Sequence, residues 1–363
     1  MSERVIGLAL SGGGSRAAAF HLGCLRAMHD RDLLRRVRVV SGISGGSLLA
    51  ALWAYGPADF AEFGEEAVRL LRRGLQRAIL ARMLRPSALA RNLVAAGSAA
   101  VSRMPGRSQV AARWANRTDG LASVLAEIAF RARTMPQVTQ EGLDVVLTAT
   151  DLRTGSAVRF GSARSSCSRF GTIIEPVPVA TAVAASAAFP LLLPAIERTF
   201  TFEREGQRRN ESVLLSDGGI YDNLGLSVLE PGRSPSFTPH VYDVPYIISC
   251  DAGRGEPQLR TPHFLPGRAK RSFDIVHRRA QDSGRARLHE WASSGRINGF
   301  TMAYLGMPDR RLPVPIADLV PQQAAASYGT NFAAMSQASL DLLSTRGEQL
   351  VRSLLAVYCP DLI

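Results

Sequence analysis

Lysine is almost absent from this sequence of 363 residues: of its 43 lysine and arginine residues, only Lys270 is a lysine. Arginine binds phosphates and carboxylates through two parallel hydrogen bonds, whereas lysine offers a point charge. The 31 acidic residues leave a formal net charge of +12. A basic surface of this kind suits nucleic acid, anionic lipid or an acidic partner, and charge alone does not choose among them.

Cysteine is scarce as well, and its spacing excludes two classes of site. None of the four cysteines forms a Cys-x-x-Cys pair with another: Cys24, Cys167, Cys250 and Cys359. The spacing therefore predicts neither a zinc site nor a disulfide framework, and reduced thiols fit the cytosol best. Apolar residues make up 46% of the chain, which excludes disorder of the whole chain and allows a large buried core.

Long apolar runs that would indicate a signal or a membrane span are missing. The run Val5–Leu10 is too short for a secretory signal and leads straight into a glycine turn. Residues 176–196 carry no charge and could span a bilayer by their length. Their prolines at both ends and their many alanines favour a short buried helix at Val179–Ala187 instead. We therefore expect a cytoplasmic protein that associates at most peripherally with a membrane.

The first fifty residues read as strand, glycine turn, helix, strand, tight turn and helix. Val5–Leu10 is a continuous apolar run, typical of a strand covered on both faces. Apolar residues recur at helical spacing over Arg16–His29, and a second short strand follows at Val37–Val40. This order implies a parallel pair with a right-handed crossover, and so an α/β fold. Four further strands are predicted, the second of them antiparallel to the first: Leu143–Ala149, Val158–Phe160, Ser212–Leu215 and Tyr246–Ser249.

An arginine-rich stretch interrupts this pattern. Residues 67–118 contain eleven arginines and no acid. Five apolar residues in it share one helical face, beside a row of arginines at 69, 73 and 77: Val68, Leu71, Leu75, Ile79 and Met83. We interpret residues 61–140 as an inserted helical subdomain or lid within a single domain of residues 1–363. Residues 270–363 are predicted to be mainly helical.

The strongest local motif is Gly42-Ile43-Ser44-Gly45-Gly46, a G-x-S-x-G between a predicted strand and a predicted helix. A serine nucleophile has to project from a sharp turn, and bulky residues two positions away would collide with the strand or the helix. The turn also places the N–H of Gly45 near the oxyanion that develops during attack, at the positive end of the next helix. We therefore predict Ser44 as a nucleophile. The alternative is a turn in which these residues have no catalytic role.

A second glycine motif, Ser11-Gly12-Gly13-Gly14-Ser15-Arg16-Ala17, lies at the first strand-to-helix junction. Successive glycines leave several amides uncovered, which can bind a phosphate or a tetrahedral oxyanion. The motif also matches the dinucleotide fingerprint, but the second strand ends without the acid that this fingerprint requires. No Gly-Lys-Ser/Thr follows, so it is not a P-loop. An oxyanion hole that precedes the nucleophile is the better interpretation.

Two kinds of residue could activate Ser44. A Ser–Asp–His triad needs a histidine, and His277 and His289 follow Asp217 in the order of α/β-hydrolases, but both lie in predicted helices. Asp217 itself ends a predicted strand, and the next two glycines allow a substrate or the serine turn to approach it. In a dry pocket, a carboxylate can accept the serine proton. An ordinary Asp-Gly turn is the alternative, so the Asp217 motif alone does not decide the base.

Together, these motifs resemble those of the patatin-like phospholipase family. Gly12–Arg16 resembles its Gly-Gly-Gly-x-Arg oxyanion motif, Gly42–Gly46 its G-x-S-x-G, and Asp217–Gly219 its Asp-Gly-Gly/Ala. Two supporting stretches resemble the family too: Thr148–Asp151 and Ala185–Pro190. The resemblance covers residues 5–55 and 143–251.

The resemblance implies a three-layer patatin-like α/β fold with a mainly parallel central sheet flanked by helices and with a helical basic insertion. It further implies a lipid acyl hydrolase with a Ser–Asp dyad, in which Ser44 is the nucleophile and Asp217 the base. The oxyanion residues that it implies are Gly12, Gly13, Gly14, Arg16 and Gly45. The glycines that support the motifs are Gly42, Gly46, Gly218 and Gly219. It implies neither a metal nor a cofactor.

The expected substrate is a phospholipid or lysophospholipid, and the arginine-rich residues 67–118 could contact an anionic membrane surface. Two alternatives stay open. One is a serine carboxylesterase that acts on small soluble esters. The other is a non-catalytic basic module that binds nucleic acid or an acidic protein. No nucleic-acid motif is visible, so we expect no nucleic-acid partner.

Overall fold

Ten strands form one sheet in the part of the chain that the structure describes. The structure is a computed structural model, and it describes residues 5–84, 116–190, 192–255 and 264–363. The strands are β1 Ile6–Leu10, β2 Val37–Gly42, β3 Asp144–Asp151, β4 Ser156–Gly161, β5 Ser165–Cys167, β6 Gly171–Ile173, β7 Ile196–Arg204, β8 Gln207–Asp217, β9 Tyr246–Asp251 and β10 Gly299–Tyr304. They lie in the order β10-β9-β1-β2-β3-β4-β5-β6-β7-β8 across the sheet.

One half of the sheet is parallel and the other half is antiparallel. β10, β9, β1, β2 and β3 pair side by side in parallel. Every pairing among β3 to β8 is antiparallel. The expectation of a mainly parallel sheet is therefore wrong. The reason is the length of the connections: a parallel neighbour needs a long crossover, whereas the chain between residues 144 and 217 mostly turns back through short loops.

A hairpin that the sequence analysis did not predict joins β7 to β8 through Glu205 and Gly206. Both residues have positive φ, 54° and 75°, as a two-residue type I′ turn requires. Arg204 pairs with Gln207, so the ladder continues up to the turn. β8 then runs from this exposed hairpin into the core, where it ends at Asp217.

One edge of β3 is shared by two strands, and this arrangement positions the candidate site. The first half of β3 pairs with β2, with Leu147 opposite Gly42. The second half pairs with β8, with Ala149 opposite Asp217. β4 pairs along the other edge of β3. Because β2 runs parallel to β3 and β8 runs antiparallel to it, the C-terminal ends of β2 and β8 meet head to head.

The helices in the described ranges include the short one expected between residues 176 and 196. Their bounds are α1 Gly14–His29, α2 Gly45–Tyr55, α3 Phe60–Arg73, α4 Gln76–Met83, α5 Arg117–Leu125, α6 Val179–Ser186, α7 Gly219–Asp222, α8 Leu265–Ser293, α9 Gln322–Ala326 and α10 Gln337–Tyr358. α6 is almost entirely buried, which confirms the interpretation of the uncharged stretch. Among the described residues, no helix is long and apolar enough to cross a membrane.

Helices cover both faces of the sheet. The larger core lies between the sheet and a layer that contains α1, α2, α6 and α10, and it includes Phe20. α1 and α10 pack so closely that a Cβ on Gly23 would lie 1.8 Å from the carbonyl oxygen of Ser344. The smaller core on the opposite face buries Leu288 and Trp291 of α8. The chain therefore has the three-layer α/β architecture that the resemblance implies.

The arginine-rich stretch is only partly described. α3 buries Phe63 and Leu71 in the larger core and ends at Arg73, before Gly74, whose φ is 66°. A Cβ on Gly74 would lie 2.3 Å from the backbone nitrogen of Ala334, so the close approach also requires glycine. The single helical face expected over residues 68–83 is therefore split between α3 and α4. Residues 85–115 lie outside the described residues, and the inserted subdomain over residues 61–140 stays a prediction.

Candidate active site

Ser44 lies in the turn between β2 and α2, where the backbone bends sharply. Its φ is 52° and its ψ is −116°, a conformation that a residue with a Cβ adopts only when its surroundings enforce it. A Cβ on Gly46 would lie 2.2 Å from the Leu10 carbonyl oxygen, and one on Gly42 would lie 2.8 Å from Ser47 Cα. The two glycines are therefore required by close packing, as in the nucleophile elbow of serine hydrolases.

The hydroxyl of Ser186 holds this elbow in place. It accepts a hydrogen bond from the Ser44 N–H at 3.0 Å and donates one to the Thr148 carbonyl at 2.6 Å. Ser47 Oγ lies 2.7 Å away and acts as donor, because the single proton of the Ser186 hydroxyl is already used. Sequence reasoning included Ser186 only as a member of the supporting stretch Ala185–Pro190 and gave it no role of its own. The available signal was a serine that ends an uncharged, alanine-rich helix.

Asp217 ends β8, and only 3% of the residue is exposed. Its Oδ1 accepts a hydrogen bond from the Gly219 N–H at 2.7 Å. Its Oδ2 accepts no hydrogen bond of ordinary geometry from the described residues. Burial raises the pKa of Asp217 from 3.8 to about 6, against the lowering effects of the Ser44 hydroxyl and the Gly219 N–H. The Ser44 hydroxyl therefore lies near enough to the carboxylate to affect its proton affinity.

The first glycine motif packs directly against the elbow. A Cβ on Gly12 would lie 3.4 Å from Ser44 Cβ. A Cβ on Gly45 would lie 2.0 Å from the carbonyl oxygen of Gly14. The two motifs that the sequence separates by thirty residues thus form one surface around Ser44.

Three amides of this surface have no acceptor among the described residues. Among the described residues, the N–H groups of Gly13, Gly14 and Gly45 donate to no protein acceptor. The N–H of Gly12 already donates to the Asn223 carbonyl at 3.1 Å. Gly12 therefore contributes close approach to Ser44 rather than a free donor.

Arg16 is buried beside the glycine motif, with its Nη2 3.1 Å from the position of a Cβ on Gly13. Burial and the neighbouring Arg254 lower the pKa of Arg16 to about 10, and Asp251 opposes this effect, so the guanidinium stays charged at neutral pH. Its other nitrogens donate to three acceptors: the Ala252 carbonyl at 3.0 Å, the Tyr328 carbonyl at 3.2 Å and the Thr330 hydroxyl at 2.8 Å. Arg16 therefore fixes the start of α1 to two loops and adds positive charge next to the motif.

Asn223 links the glycine motif to the turn after β8, and sequence reasoning gave it no separate role. Its Oδ1 lies 2.4 Å from the position of a Cβ on Gly12 and 2.6 Å from that of a Cβ on Gly219. A Cβ on Gly218 would lie 2.1 Å from the Thr148 carbonyl oxygen. Both glycines after β8 are therefore required by contacts on either side of the site.

No described histidine hydrogen-bonds to Ser44, so the Ser–Asp–His alternative has no histidine in place among these residues. Burial lowers the pKa of His277. The Asp274 and Asp251 carboxylates and a hydrogen bond with the backbone of Gly219 oppose this lowering. The remaining histidines that the structure describes have other partners: His21 with the Cys250 carbonyl, His29 stacked on Phe60, His240 with Ser166, and His289 edge-on to Phe300. His263 lies outside the described residues.

Three further carboxylates near the strand ends are occupied by structural hydrogen bonds. Oδ1 of Asp151 accepts the Leu214 N–H at 2.9 Å, Oδ2 of Asp222 accepts the Ser227 N–H at 2.7 Å, and Oδ2 of Asp251 pairs with Arg285 at 2.5 Å. Within the described ranges, no group of three or more His, Cys, Asp or Glu side chains is placed to hold a metal ion. The chemistry that the site offers is a serine hydroxyl beside a buried carboxylate, with unpaired amides around it. This combination suits acyl transfer.

The comparisons with known proteins agree with this chemistry. The model of the patatin-like phospholipase family matches residues 8–229, which is more than half of the chain. No curated protein matches the sequence.

Solved structures show the same fold at low sequence identity. Human GIVD cytosolic phospholipase A2 matches with a TM-score of 0.57 and 13% identity, over 97% of this chain and 59% of that chain. The same human protein in complex with methyl gamma-linolenyl fluorophosphonate inhibitor and terbium chloride matches with a TM-score of 0.51 and 13% identity, over 97% and 58%. VipD from Legionella pneumophila matches with a TM-score of 0.41 and 15% identity over 98% and 67%, and this score is too low to support a shared fold. This chain thus spans about three fifths of the human phospholipase chain.

Proposed function

Because this chain belongs to the patatin-like phospholipase family, we propose that it is a lipid acyl hydrolase with Ser44 as nucleophile and Asp217 as base. The proposal rests on one observation: the C-terminal ends of β2 and β8 lie next to each other along the same edge of β3. It brings a sharply bent serine turn against a buried carboxylate. A serine hydroxyl is a weak nucleophile, and an adjacent base that accepts its proton activates it.

Asp217 is suited to act as this base. At neutral pH a carboxyl group with a pKa of about 6 is mostly ionised, yet it binds a proton more tightly than an ordinary aspartate does. General bases work best when their pKa is close to the working pH. Oδ2 is the oxygen that would accept the proton, because Oδ1 already binds the Gly219 N–H.

The proposed reaction has two halves. Ser44 Oγ attacks the ester carbonyl carbon while its proton moves to Asp217, and the carbonyl oxygen becomes an oxyanion. The oxyanion then collapses, and the leaving alcohol or lysolipid takes the proton from Asp217. In the second half, water attacks the acyl-serine while Asp217 accepts a proton from it. Collapse of the second intermediate releases the fatty acid, and Ser44 Oγ takes the proton from Asp217, which restores the hydroxyl and the carboxylate.

The free amides of Gly13, Gly14 and Gly45 would stabilise both oxyanions. Gly14 and Gly45 are the first residues of α1 and α2, and a Cβ on Gly45 would lie 2.0 Å from the Gly14 carbonyl oxygen, so the positive ends of two helices lie close together at the site. Removing one oxyanion donor from a serine hydrolase costs about 3–4 kcal/mol of transition-state stabilisation. Arg16 adds a fixed positive charge beside these amides.

The substrate that we propose is a phospholipid or lysophospholipid at an anionic membrane surface. The described part of the arginine-rich stretch supports peripheral contact, since Arg69, Arg72 and Arg73 are exposed on α3. These arginines line an open groove of about 880 Å³ with an apolar floor that includes Phe60 and Val68. None of the residues that line this groove belongs to the Ser44 site, so it would contribute to surface binding and not to the reaction.

Labelling with a fluorophosphonate probe tests the nucleophile. The wild-type protein should form one covalent adduct that mass spectrometry maps to Ser44, and Ser44→Ala should not label. Ser123→Ala removes an exposed serine on α5 and serves as the matched control, which should label like the wild type. Equal labelling of Ser44→Ala and wild type would refute the assignment.

A panel of substrates tests the activity and separates it from a simple esterase. Phospholipid vesicles, lysophospholipid and a short-chain soluble ester should be compared at equal enzyme concentration. We expect turnover of the lipids, loss of all turnover in Asp217→Asn, and retained turnover after replacement of each described histidine. Hydrolysis of the soluble ester without any lipid hydrolysis would leave the Ser–Asp dyad standing but reject the lipid substrate.

A further inference from the structure

The N-terminal part of α8 lies along the surface of the protein, with several half-buried side chains such as Phe273 and His277. Among the residues of α8 whose side chains are described, the first to be buried is Gly284, and Leu288 and Trp291 follow it. The 19 residues before Gly284 correspond to a helix length of about 28 Å. Arg285 anchors the helix at this point, because it pairs with the buried Asp251 at 2.5 Å.

Large apolar side chains are exposed in two pairs on this part of α8 and just before it, one pair at residues 264–265 and the other at residues 275–276, and we call the four together the apolar stripe. Phe264 is 81% exposed, Leu265 72%, Ile275 46% and Val276 69%. Leu265 and Val276 are eleven positions apart, which is three turns of an α-helix, so they lie on the same side of α8. Phe264 immediately precedes the helix, and it is also eleven positions from Ile275. Exposed apolar residues that line up in this way mark a contact surface, whereas scattered ones need no explanation.

Basic side chains accompany the apolar stripe. Residues 265–283 contain five basic and two acidic side chains. Both acidic ones are already paired, Asp274 with Lys270 and Asp282 with Arg285. Among the described residues, no acidic side chain pairs with the other four basic residues of this part, Arg268, Arg271, Arg278 and Arg279. An amphipathic helix with an apolar stripe and basic flanks is suited to lie in the head-group region of an anionic bilayer.

The N-terminal part of α8 also adjoins the candidate active site. Phe273 packs edge-on against Phe189 with 6.2 Å between the ring centres. Phe189 follows Ala188, whose carbonyl accepts a hydrogen bond from the Asp217 N–H at 3.0 Å. Through these contacts, the stripe is joined to the segment that ends β8.

We propose that residues 264–279 form the membrane-contact surface of this protein, which we call the α8 surface. The stripe of Phe264, Leu265, Ile275 and Val276 enters the interface of an anionic phospholipid bilayer, and the neighbouring arginines bind its phosphates. The contact holds the Ser44 site at the bilayer, where its substrate is. The inference rests on the proposed lipid hydrolase activity, and it assigns the apolar part of membrane binding to α8 and not to residues 67–118.

Vesicle flotation tests the α8 surface. Vesicles of phosphatidylcholine alone and of phosphatidylcholine with phosphatidylglycerol are mixed with the wild type and with the variant Ile275→Gln/Val276→Gln. The matched control is Val314→Gln/Val357→Gln, which removes two similarly exposed apolar side chains elsewhere. A second variant, Arg268→Glu/Arg279→Glu, reverses charge beside the stripe. Activity on a short-chain soluble ester and fluorophosphonate labelling show that each variant is folded.

We expect Ile275→Gln/Val276→Gln to bind anionic vesicles about tenfold or more weakly, because each lost side chain would have been buried in the interface. Hydrolysis of vesicle phospholipid should fall in parallel, while soluble-ester hydrolysis stays unchanged. Arg268→Glu/Arg279→Glu should lose the preference for anionic vesicles, and the control should bind like the wild type. Unchanged vesicle binding by Ile275→Gln/Val276→Gln, or equal loss in the control, would overturn the proposal.

Failure of this inference and failure of the proposed function give different results. If the wild type floats with vesicles through α8 but hydrolyses no lipid, the α8 surface stands and the activity is wrong. If lipid hydrolysis is normal and the α8 variants bind and react like the wild type, the activity stands and the α8 surface is wrong. Loss of binding only after charge reversal at Arg69, Arg73 and Arg77 would also refute it, in favour of the groove along α3.

Discussion

Replacing Asp217 with asparagine should stabilise the folded protein at neutral pH while it abolishes turnover. The carboxylate is buried, and burial raises its pKa from 3.8 to about 6. Burial of the charged Asp217 carboxylate destabilises the folded state, and this free-energy cost is proportional to the rise in pKa. Asparagine has nearly the same shape, keeps an oxygen for the Gly219 N–H and carries no charge.

The magnitude and its dependence on pH follow from the two pKa values. A rise of 2.2 units, from 3.8 to about 6, corresponds to about 3 kcal/mol. The folded state binds the Asp217 proton more tightly than the unfolded state does, so stability falls as pH rises between these two values. The full destabilisation is present above about pH 6 and absent below about pH 4. The asparagine variant carries no charge at residue 217, so it lacks this destabilisation at every pH.

Urea denaturation of wild type and Asp217→Asn between pH 5 and pH 8 measures the effect. The variant should have a free energy of unfolding higher by about 3 kcal/mol at pH 8, and by about half of that at pH 5. Asp341→Asn, which removes an exposed acid on α10, is the control and should change stability little at any pH. A variant that is less stable than the wild type at pH 8, or a difference that does not change with pH, would show that Asp217 is not a desolvated charge.

Three further predictions concern the geometry of the site. The kcat/KM for a soluble ester should fall about tenfold per pH unit below pH 6, because the Asp217 carboxylate becomes protonated. The pH–rate profile of His277→Gln should show the same fall in kcat/KM at low pH. Ser186→Ala leaves a buried N–H of the elbow without an acceptor, so kinetics should show about a tenfold loss of kcat with an unchanged circular dichroism spectrum. Gly45→Ala would place a methyl group 2.0 Å from the Gly14 carbonyl oxygen, and we expect at least a hundredfold loss of labelling by fluorophosphonate together with a lower melting temperature.

The local junctions of the first fifty residues were predictable because each depends on neighbouring residues. A continuous apolar run, a glycine turn and a helical period are visible in any short window, and β1, α1, β2 and α2 appear where these patterns predict them. Several glycines of the two motifs are required by close packing, since a Cβ on Gly14, Gly42, Gly45 or Gly46 would lie 2.0–2.8 Å from another backbone atom. Glycines that such close packing requires can be recognised as motifs in the sequence.

The antiparallel half of the sheet was harder to predict because strand partners are not a local property. β7 carried a signal that the analysis missed: Phe200 and Phe202 alternate with threonines, and Glu205-Gly206 follows as a hairpin turn. The short strands β5 and β6 have only three residues each, too few for a periodic pattern. The pairing of β8 with β3 as well as β7 depends on where β2 ends, which no window of the sequence contains.

Two residues that contact the site from distant parts of the sequence were missed, because such contacts are not a local property either. Ser186 holds Ser44 from 142 positions away in the sequence, and Asn223 contacts Gly12 from more than two hundred. Neither is a nucleophile, an acid or a turn glycine, so neither fits a motif with a chemical rationale. Their roles follow only from the buried hydrogen bonds and close contacts that the sheet topology brings about.

The arrangement along β3 has an energetic consequence for the proposed dyad. Ser44 is held with positive φ and Asp217 is held away from water, and each of these states destabilises the fold. They are not independent, because the Ser44 hydroxyl lowers the pKa of Asp217 and so eases the desolvation of the carboxylate. Loss of that hydroxyl would leave the Gly219 N–H as the remaining donor to the carboxylate and raise its pKa further. In the proposed dyad, the hydroxyl that would give up its proton therefore also reduces the free-energy cost of burying the charged carboxylate.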